Sequence, residues 1–269
     1  MLSPAEFVES YAGIGAGKAK TPLLKLFLLA ILAGFLIAMG GVTTNTASHA
    51  IANVSAAKIV NGLLFPFGLI MVILTGAELF TGNCLITISL LEGRATAAGM
   101  LRNLAVVYAG NFVGSLLLAM ACVYSGQLEL SGGGLAVATI KTAAAKCALP
   151  FGRALVLGIL CNVLVCAAVM CSLCAKDVVG RAVGAFVPIC FFVVCGFEHC
   201  VANMYYIPAG LLANGVPRYA ELAAAAGVDA SGLTWGAFLL NNLVPVTLGN
   251  ILGGCAFAAL IWAAHRKIK

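Results

Sequence analysis

Two short stretches, 120 positions apart, decide how this chain folds. Gly76-Ala-Glu-Leu-Phe-Thr-Gly-Asn83 and Gly196-Phe-Glu-His-Cys-Val-Ala-Asn203 align without a gap, and Gly, Glu and Asn recur at the same places. Each stretch interrupts a long apolar run. An ionised carboxylate is costly to bury, so Glu78 and Glu198 must each have a partner or a proton. The repeat indicates two related halves, and we interpret both glutamates as structural pins of helix breaks.

The composition places the chain in a membrane. Of 269 residues, 62% are apolar and only 9% are charged, and the mean hydropathy is +1.09. Soluble domains are about 45–50% apolar and about 25% charged. A soluble enzyme is therefore excluded, and we expect no enzymatic activity. The net charge of +6 does not indicate a nucleic-acid partner, because the basic residues lie between apolar runs and do not cluster.

Charged residues divide the chain into apolar runs of membrane length. A span needs about 20 residues, and most runs supply one span each. The stretches 59–91 and 182–217 are longer, and the second contains His199 beside its glutamate. A single helix of that length would measure roughly 50 Å, against a hydrocarbon core of about 30 Å. The sequence predicts an all-α membrane protein with six transmembrane helices, of which the second and fifth are broken.

The repeat extends over the whole chain, which we expect to be one transmembrane domain over 1–269. Residues 24–128 form the first three-span repeat and residues 150–265 the second, and each contains a Gly-Asn-x-x-Gly element, at 110–114 and 249–253. Three spans are an odd number, so the second half enters the bilayer from the opposite side and the repeat is inverted. The glycines favour tight helix packing over contact with a ligand.

The amino terminus predicts an amphipathic helix over 3–20. Ser3-Pro-Ala-Glu6 has the form of a capping box, and Phe7, Tyr11 and Ile14 share one face. Two positions remain open for this helix: on the bilayer surface or near a cytoplasmic pore mouth. Both termini are predicted to be cytoplasmic by the positive-inside rule, because ten of the fifteen basic residues fall on the amino-terminal side: Lys18, Lys20, Lys25, Arg94, Arg102, Lys176, Arg181, Arg266, Lys267 and Lys269.

His199 is the histidine that lies within a span, where the other half has Leu79. Ionisable groups inside a membrane are functional candidates, and an imidazole can donate a hydrogen bond or a proton to an anion near neutral pH. With no second intramembrane histidine and no four-ligand set, we expect no haem, metal or other cofactor. Lys146, by position alone, is an interfacial lysine on the outer side.

On these motifs the chain resembles the formate/nitrite transporter family of pentameric anion channels over essentially its whole length. The segments that carry the resemblance are 76–81, Lys146 upstream of Gly158-Ile-Leu-Cys-Asn162, 196–203, and Asn242-Leu-Val-Pro-Val-Thr-Leu-Gly-Asn250. The resemblance implies an aquaporin-like protomer with its own pore, five such protomers in a homopentamer surrounded by lipid, and a place in the cytoplasmic (inner) membrane of a prokaryote.

The resemblance also implies roles for individual residues. Thr81 would lie on a mobile loop in the break of span two and face His199 across the pore. Lys146 would bias the vestibule toward anions. Asparagines would line or brace the path: Asn162, Asn203 and Asn250. Apolar side chains would form two constrictions: Phe65, Leu69 and Leu79 at one, with Phe80 beside the loop break, and Phe192 at the other.

We expect the protein to conduct a small monovalent anion. Formate is the first candidate, because residues 207–208 and 242–246 resemble the corresponding residues of formate channels. Residues 82–84 depart from the formate pattern, and nitrite or hydrosulfide stays an alternative. A bare anion cannot cross two apolar collars cheaply, so we expect His199 to hydrogen-bond or protonate it, with more flux at acidic pH. A membrane anchor subunit of a redox enzyme is the alternative of another class, and a neutral-solute aquaporin would need an Asn-Pro-Ala pair that these breaks lack.

Overall fold

A computed structural model describes residues 1–267, and all regular secondary structure in that range is helical. Lys269, counted above on the amino-terminal side, lies outside the described residues. The predicted all-α fold with six spans is confirmed. Within the described residues, six helical segments are long and apolar enough to cross a membrane: Leu23–Ser48, Val54–Thr75, Ala97–Tyr124, Phe151–Cys174, Val178–Cys195 and Trp235–Arg266.

The first half begins with a helix that precedes the spans and ends with the third span. Span two consists of two helices before its break and two short helices after it. In chain order the helices are α1 (Pro4–Lys20), α2 (Leu23–Ser48), α3 (Val54–Leu64), α4 (Pro66–Thr75), α5 (Phe80–Asn83), α6 (Ile86–Leu91) and α7 (Ala97–Tyr124).

The second half follows a 3₁₀ turn at Gln127–Gly133 and repeats this arrangement. Span five is broken between Cys195 and Cys200, and span six contains a π-helical turn at Phe238–Leu243. A further π-helical turn, Ala263–Lys267, ends it. The helices are α8 (Gly134–Cys147), α9 (Phe151–Cys174), α10 (Val178–Cys195), α11 (Cys200–Asn214), α12 (Pro217–Ala225), α13 (Trp235–Ala237) and α14 (Val244–Trp262).

Glycines bring the first and third spans of each half into close contact. A Cβ atom on Gly114 of α7 would collide with the carbonyl of Ile31 on α2. In the second half, a Cβ atom on Gly253 of α14 would collide with the carbonyl of Ile159 on α9. Only glycine allows two helix backbones to approach this closely. The Gly-x-x-x-Gly elements therefore act in packing, in the same way in both halves.

Helix α1 has both hydrogen bonds of the capping box. The Ser3 N–H donates to Glu6 Oε2 at 2.7 Å, and the Glu6 N–H donates to Ser3 Oγ at 3.3 Å. Phe7 and Tyr11 are each 1% exposed and face the protein, where α1 packs on α6. Ile14, which we placed on the same face, is 40% exposed. Together with Tyr11 and Lys18, however, it lines a cavity on this side of the protein, so the three residues do share one face of α1.

Helix α8 occupies the linker between the halves, to which the sequence analysis gives no element. It packs on α11 as α1 packs on α6. Both helices precede their three spans, and each has a lysine in its last turn, Lys18 in α1 and Lys146 in α8. The inverted repeat therefore includes one additional helix per half.

Candidate pore between the two broken spans

Both breaks begin with a glycine in the left-handed conformation. Gly76 has φ +67° and Gly196 has φ +73°, values that glycine adopts without steric strain. The N–H of the next residue donates to the carbonyl five positions back, at 3.0 Å in both halves. This closes the helix C-terminus and releases an extended segment. The recurring Gly of the repeat is therefore the residue that ends α4 and α10.

The first network surrounds Glu78 and consists of Lys18, Glu78, Asn83 and Asn103. Lys18 Nζ lies 2.7 Å from one carboxylate oxygen of Glu78, and Asn83 Nδ2 donates to the other at 2.7 Å. Asn83 Nδ2 also donates to Asn103 Oδ1 at 2.8 Å, and Asn103 Nδ2 donates to the Lys18 carbonyl at 2.9 Å. The buried charge of Glu78 is thus paired and hydrogen-bonded within a closed ring.

The second network repeats the first around Glu198 and consists of Lys146, Glu198, Asn203 and Asn242. Lys146 Nζ lies 2.7 Å from Glu198 Oε1, and Asn203 Nδ2 donates to Oε2 at 2.6 Å. Asn203 Nδ2 also donates to Asn242 Oδ1 at 2.7 Å, and Asn242 Nδ2 donates to the Lys146 carbonyl at 3.0 Å. The carboxylates are therefore satisfied by side chains and not by free backbone N–H groups of the breaks.

Two further asparagines hold the backbone of the breaks. Asn111 Oδ1 accepts the N–H of Phe80 at 2.9 Å, and its Nδ2 donates to the Glu78 carbonyl at 2.9 Å. Asn250 makes the equivalent bonds, to the Cys200 N–H at 2.9 Å and to the Glu198 carbonyl at 3.0 Å. These bonds satisfy backbone groups that helix breaks leave unpaired. Asn250 lines neither vestibule described below, so its position is that of a brace.

His199 and Thr81 meet where the two breaks face each other. His199 Nε2 lies 2.9 Å from Thr81 Oγ1, and both residues are buried. His199 also caps helix α11, because its Nδ1 accepts the N–H of Ala202 at 3.1 Å. An Nδ1 that accepts a hydrogen bond leaves the proton of a neutral ring on Nε2. The ring therefore presents an N–H donor toward Thr81 in the centre of the molecule.

A wide vestibule of ≈ 680 Å³ opens on the side of α8 and reaches His199. Phe65 and Phe192 line its deep part, and their rings lie edge to face with centroids 5.7 Å apart. Three lysines also line it: Lys58, Lys141 and Lys146. The predicted vestibular lysine is present, but its charge is compensated, because Lys146 is the ion-pair partner of Glu198.

A narrow vestibule of ≈ 170 Å³ lies on the side of α1, whose residues Tyr11 and Lys18 line it. Leu69 and Leu79 form its apolar part and are 2% and 4% exposed. The predicted grouping of the constrictions is therefore corrected, because Phe65 lies with Phe192 and not with the two leucines. Phe65 and Leu69 are four residues apart, about 6 Å along a helix, so they reach different vestibules.

Two other predicted pore residues lie away from both vestibules. Phe80 packs its ring against Tyr108, with centroids 4.8 Å apart, in a lateral apolar cavity of ≈ 370 Å³. Asn162 is fully buried, and its Nδ2 donates to the carbonyls of Thr81 at 3.2 Å and Asn250 at 2.6 Å. Thr81, which we expected on a loop, is the second residue of the short helix α5. Asn162 thus braces this helix, and Phe80 anchors it from outside.

Three partners of the glutamates were not predicted from the sequence: Lys18, Asn103 and Asn242. A signal for the asparagines was available, because each lies eight positions before Asn111 or Asn250. No such signal exists for the lysines, which precede their glutamates by unequal distances of 60 and 52 positions.

The described residues offer no ligand set for a metal. Among residues 1–267, no three His, Cys, Asp or Glu side chains are close enough together to hold an ion. Nine of the eleven cysteines are at least partly buried, and none of the eleven forms a disulfide bond with another. In apolar surroundings such thiols pack as small apolar groups. The chemical groups at the centre of the site are therefore the hydrogen-bonded side chains of His199 and Thr81. On either side of this pair lies an apolar collar, Phe65 with Phe192 on one side and Leu69 with Leu79 on the other.

Comparison with known proteins agrees with this architecture. The formate/nitrite transporter family model matches residues 5–264. The formate channel FocA of Haemophilus influenzae is 40% identical over 259 residues, which cover 94% of this chain and 90% of that protein. A solved pentameric formate channel with formate bound has a TM-score of 0.78 at 34% identity, over 88% of this chain and 95% of that one. A solved FNT family ion channel has a TM-score of 0.82 at 26% identity, over 95% and 96%. The chain therefore belongs to the formate/nitrite transporter family and is a multi-pass membrane transport protein, not an enzyme.

Proposed function

We propose that each protomer conducts small monovalent anions, formate first among them, through a pore between its two broken spans. The relatives named formate channels, one of them solved with formate bound, support formate as the substrate. The observation that carries the proposal is the hydrogen bond between His199 Nε2 and Thr81 Oγ1, 2.9 Å long. It joins the two breaks between the Phe65–Phe192 collar and the Leu69–Leu79 collar.

The collars require that the charge of the anion be offset before it crosses. An isolated charge in an apolar constriction is costly, and the described vestibules contain no continuous row of cations. The Nε2–H of His199 can exchange its hydrogen bond to Thr81 for one to an oxygen of formate, and this bond stabilises the anion there. A proton on formate removes the remaining charge, so the species that passes the collars is close to the neutral acid.

The geometry favours hydrogen bonding over proton supply by His199. A neutral imidazole keeps its bond from the Ala202 N–H, whereas an imidazolium carries a proton on Nδ1 and must give that bond up. The proton of the transported acid then comes from the aqueous vestibule. Flux should rise as the pH falls, because a larger fraction of the substrate is protonated at the collar.

Uptake of labelled formate into proteoliposomes at two pH values tests this function. We expect His199→Phe to reduce the flux strongly at both pH values, because the hydrogen-bond donor is lost, while the remaining flux still rises as the pH falls, because the proton comes from the aqueous vestibule. His265→Phe is the matched control, because His265 is exposed near the end of span six. Undiminished and equally pH-dependent flux in His199→Phe would remove the histidine from the mechanism.

Nitrite and hydrosulfide are the rival substrates of the same class. Both are small monovalent anions, and nothing in the two collars distinguishes them from formate by size or charge. Competition of labelled formate uptake by nitrite, hydrosulfide, lactate and glycerol ranks them in one assay. Membership of a transport family leaves the redox-anchor alternative without support.

We further propose a homopentamer in the cytoplasmic membrane of a prokaryote, with both termini in the cytoplasm. The pentameric relative supports the assembly, and the excess of basic residues on the amino-terminal side supports the orientation. Large apolar side chains that need lipid or a neighbouring protomer are exposed, among them Leu24, Leu101, Leu240 and Leu260. The native mass in detergent and a carboxy-terminal reporter fusion test the two statements separately.

A further inference from the structure

Two lysines of the wide vestibule have no acidic partner. Lys58 on α3 and Lys141 on α8 both line it, and neither makes an ion pair with any residue that the structure describes. Lys146, in contrast, is paired with Glu198 at 2.7 Å. Because the opposite charges of a close pair largely cancel at a distance, the positive potential of this vestibule comes from Lys58 and Lys141.

Lys58 is placed next to the turn that leads to His199. Its Nζ lies 2.7 Å from the position that a Cβ atom on Gly196 would occupy, three residues before the histidine. The same face of α3 carries Asn61 and Phe65, which also line the vestibule. These positions follow helical spacing. Lys58, Asn61 and the collar residue Phe65, at the end of α3, therefore follow one another toward the centre of the pore.

The wall of the wide vestibule also contains polar atoms without a partner. Asn45 Nδ2, Asn61 Oδ1 and Asn203 Oδ1 are buried and make no hydrogen bond with any residue in 1–267, and all three residues line this vestibule. Buried polar groups are normally hydrogen-bonded, and an exception needs water or a ligand. Asn45 Nδ2 is a donor that suits an oxygen of an anion, whereas Asn61 Oδ1 and Asn203 Oδ1 are acceptors that need a water molecule or the proton of an acid.

We propose that Lys58 and Lys141, with the Asn45 amide N–H as a donor, form an anion-binding site in the wide vestibule, between its mouth and His199, that takes a small monovalent carboxylate or similar oxyanion. The inference rests on the proposed function. In this arrangement Lys58 and Lys141 raise the local concentration of the anion in the vestibule next to the Phe65–Phe192 collar. Lys146 is a positioning residue that neutralises Glu198.

The test is a comparison of formate KM and maximal flux in proteoliposomes. We expect Lys58→Met and Lys141→Met each to raise KM about threefold, with maximal flux retained, because each removes one attractive charge from the vestibule. Lys58→Arg should restore the wild-type KM. Arg153→Met is the matched control, since Arg153 is an exposed cation of the same face outside the vestibule lining.

Salt dependence gives a second readout that a merely structural role would not change. In the wild type, high ionic strength should raise KM by screening the lysines, and the double variant Lys58→Met/Lys141→Met should lose this dependence. A KM in both single variants equal to that of Arg153→Met overturns the inference. Should Lys58→Met fail to elute as the native oligomer, a salt-independent wild-type KM overturns it equally. A wild type without formate flux contradicts the proposed function instead.

Discussion

The two breaks share a scaffold and differ in the residues at their tips. Lys, Glu and two Asn form the same ring in both halves, and Asn111 and Asn250 brace both backbones in the same way. At the tip, however, Leu79 faces one vestibule where the other half has His199, and Thr81 corresponds to Val201. The residues that recur in both halves thus form the helix breaks. The residues that differ between the halves, His199 and Thr81, form the hydrogen bond in the pore.

The largest expected effect comes from leaving one network with an unpaired carboxylate. Lys146→Met should destabilise the protein by about 3–5 kcal/mol, because removing one partner of a buried ion pair strands the other charge. Lys18→Met should do the same in the first half if the two networks are equivalent. Thermal unfolding in detergent measures both.

Adding Glu198→Gln to Lys146→Met provides the control, since it removes the stranded charge and should recover most of the loss. An unchanged unfolding temperature in Lys146→Met would show that the ring contributes little. A large loss in only one of the two lysine variants would show that the halves are not energetically equivalent.

His199→Leu makes the second tip like the first and tests where the asymmetry matters. We expect formate flux to fall about tenfold to a hundredfold, because an aimed donor in a dry site is lost. Stability should fall by only about 1 kcal/mol, for the cap on α11. His199→Asn keeps a capping oxygen and an amide donor and should retain part of the flux. Equal flux in all three proteins contradicts the role of the donor.

Thr81→Val and Val201→Thr exchange the second pair of unlike residues. Thr81→Val should reduce flux about fivefold, since it leaves the Nε2–H of His199 without its partner in the resting pore. Val201→Thr adds a hydroxyl at the equivalent position of the other half and should leave flux near the wild-type value. Proteoliposome uptake measures both. A larger loss of flux in Val201→Thr than in Thr81→Val would contradict the role of the Thr81 hydroxyl.

The smallest effect concerns ion pairs that hold α1 and have no counterpart on α8. Glu9 contacts Arg94 and Arg266 at 2.5 and 2.6 Å, and Glu92 contacts Arg266 at 3.0 Å. Among the described residues, α8 has no ion pair besides Lys146–Glu198. Hydrogen bonds from Arg266 and then from the Trp262 indole lower the pKa of Glu92 below its ordinary value.

A lowered carboxyl pKa stabilises the folded protein above the ordinary pKa, and this contribution is lost as the pH falls through the lowered value. Acidification below about pH 4 should therefore release Trp262. Its fluorescence in a Trp235→Phe background reports this release. The effect on stability should stay below about 1 kcal/mol, because Glu9 and Arg266 are exposed to solvent and Glu92 is partly exposed. A Glu92→Gln variant with the same fluorescence titration would contradict the assignment.

The sequence predicted the elements that depend on local patterns. Apolar runs and their interruptions gave six spans with two breaks, and the aligned stretches pointed to His199. The direction of side chains within a break could not be predicted, because an extended segment between helices has no period to indicate its faces. Phe80 lies directly after the break, as expected, but its ring packs on Tyr108 away from both vestibules. Phe65 lies at the helical junction of α3 and α4, where the four positions from it to Leu69 place the two side chains in different vestibules.

Contacts between elements distant in sequence were also out of reach. Lys18 meets Glu78 across 60 positions, and the short helix α8 has no long apolar run to announce it. Pairing of this kind is decided by packing in three dimensions. The spacing shared by Asn103–Asn111 and Asn242–Asn250 shows that an internal repeat can still reveal such partners when both halves keep it.

The ring around each glutamate closes entirely within its own half of the chain. All four members of the first network precede the 3₁₀ turn at Gln127–Gly133, and all four members of the second follow it. Once residue 103 has been synthesised, all four residues of the ring around Glu78 are present, before span four exists. Two polypeptides divided at that turn and produced together should therefore each enter the bilayer without a stranded charge, and then join across Thr81 and His199.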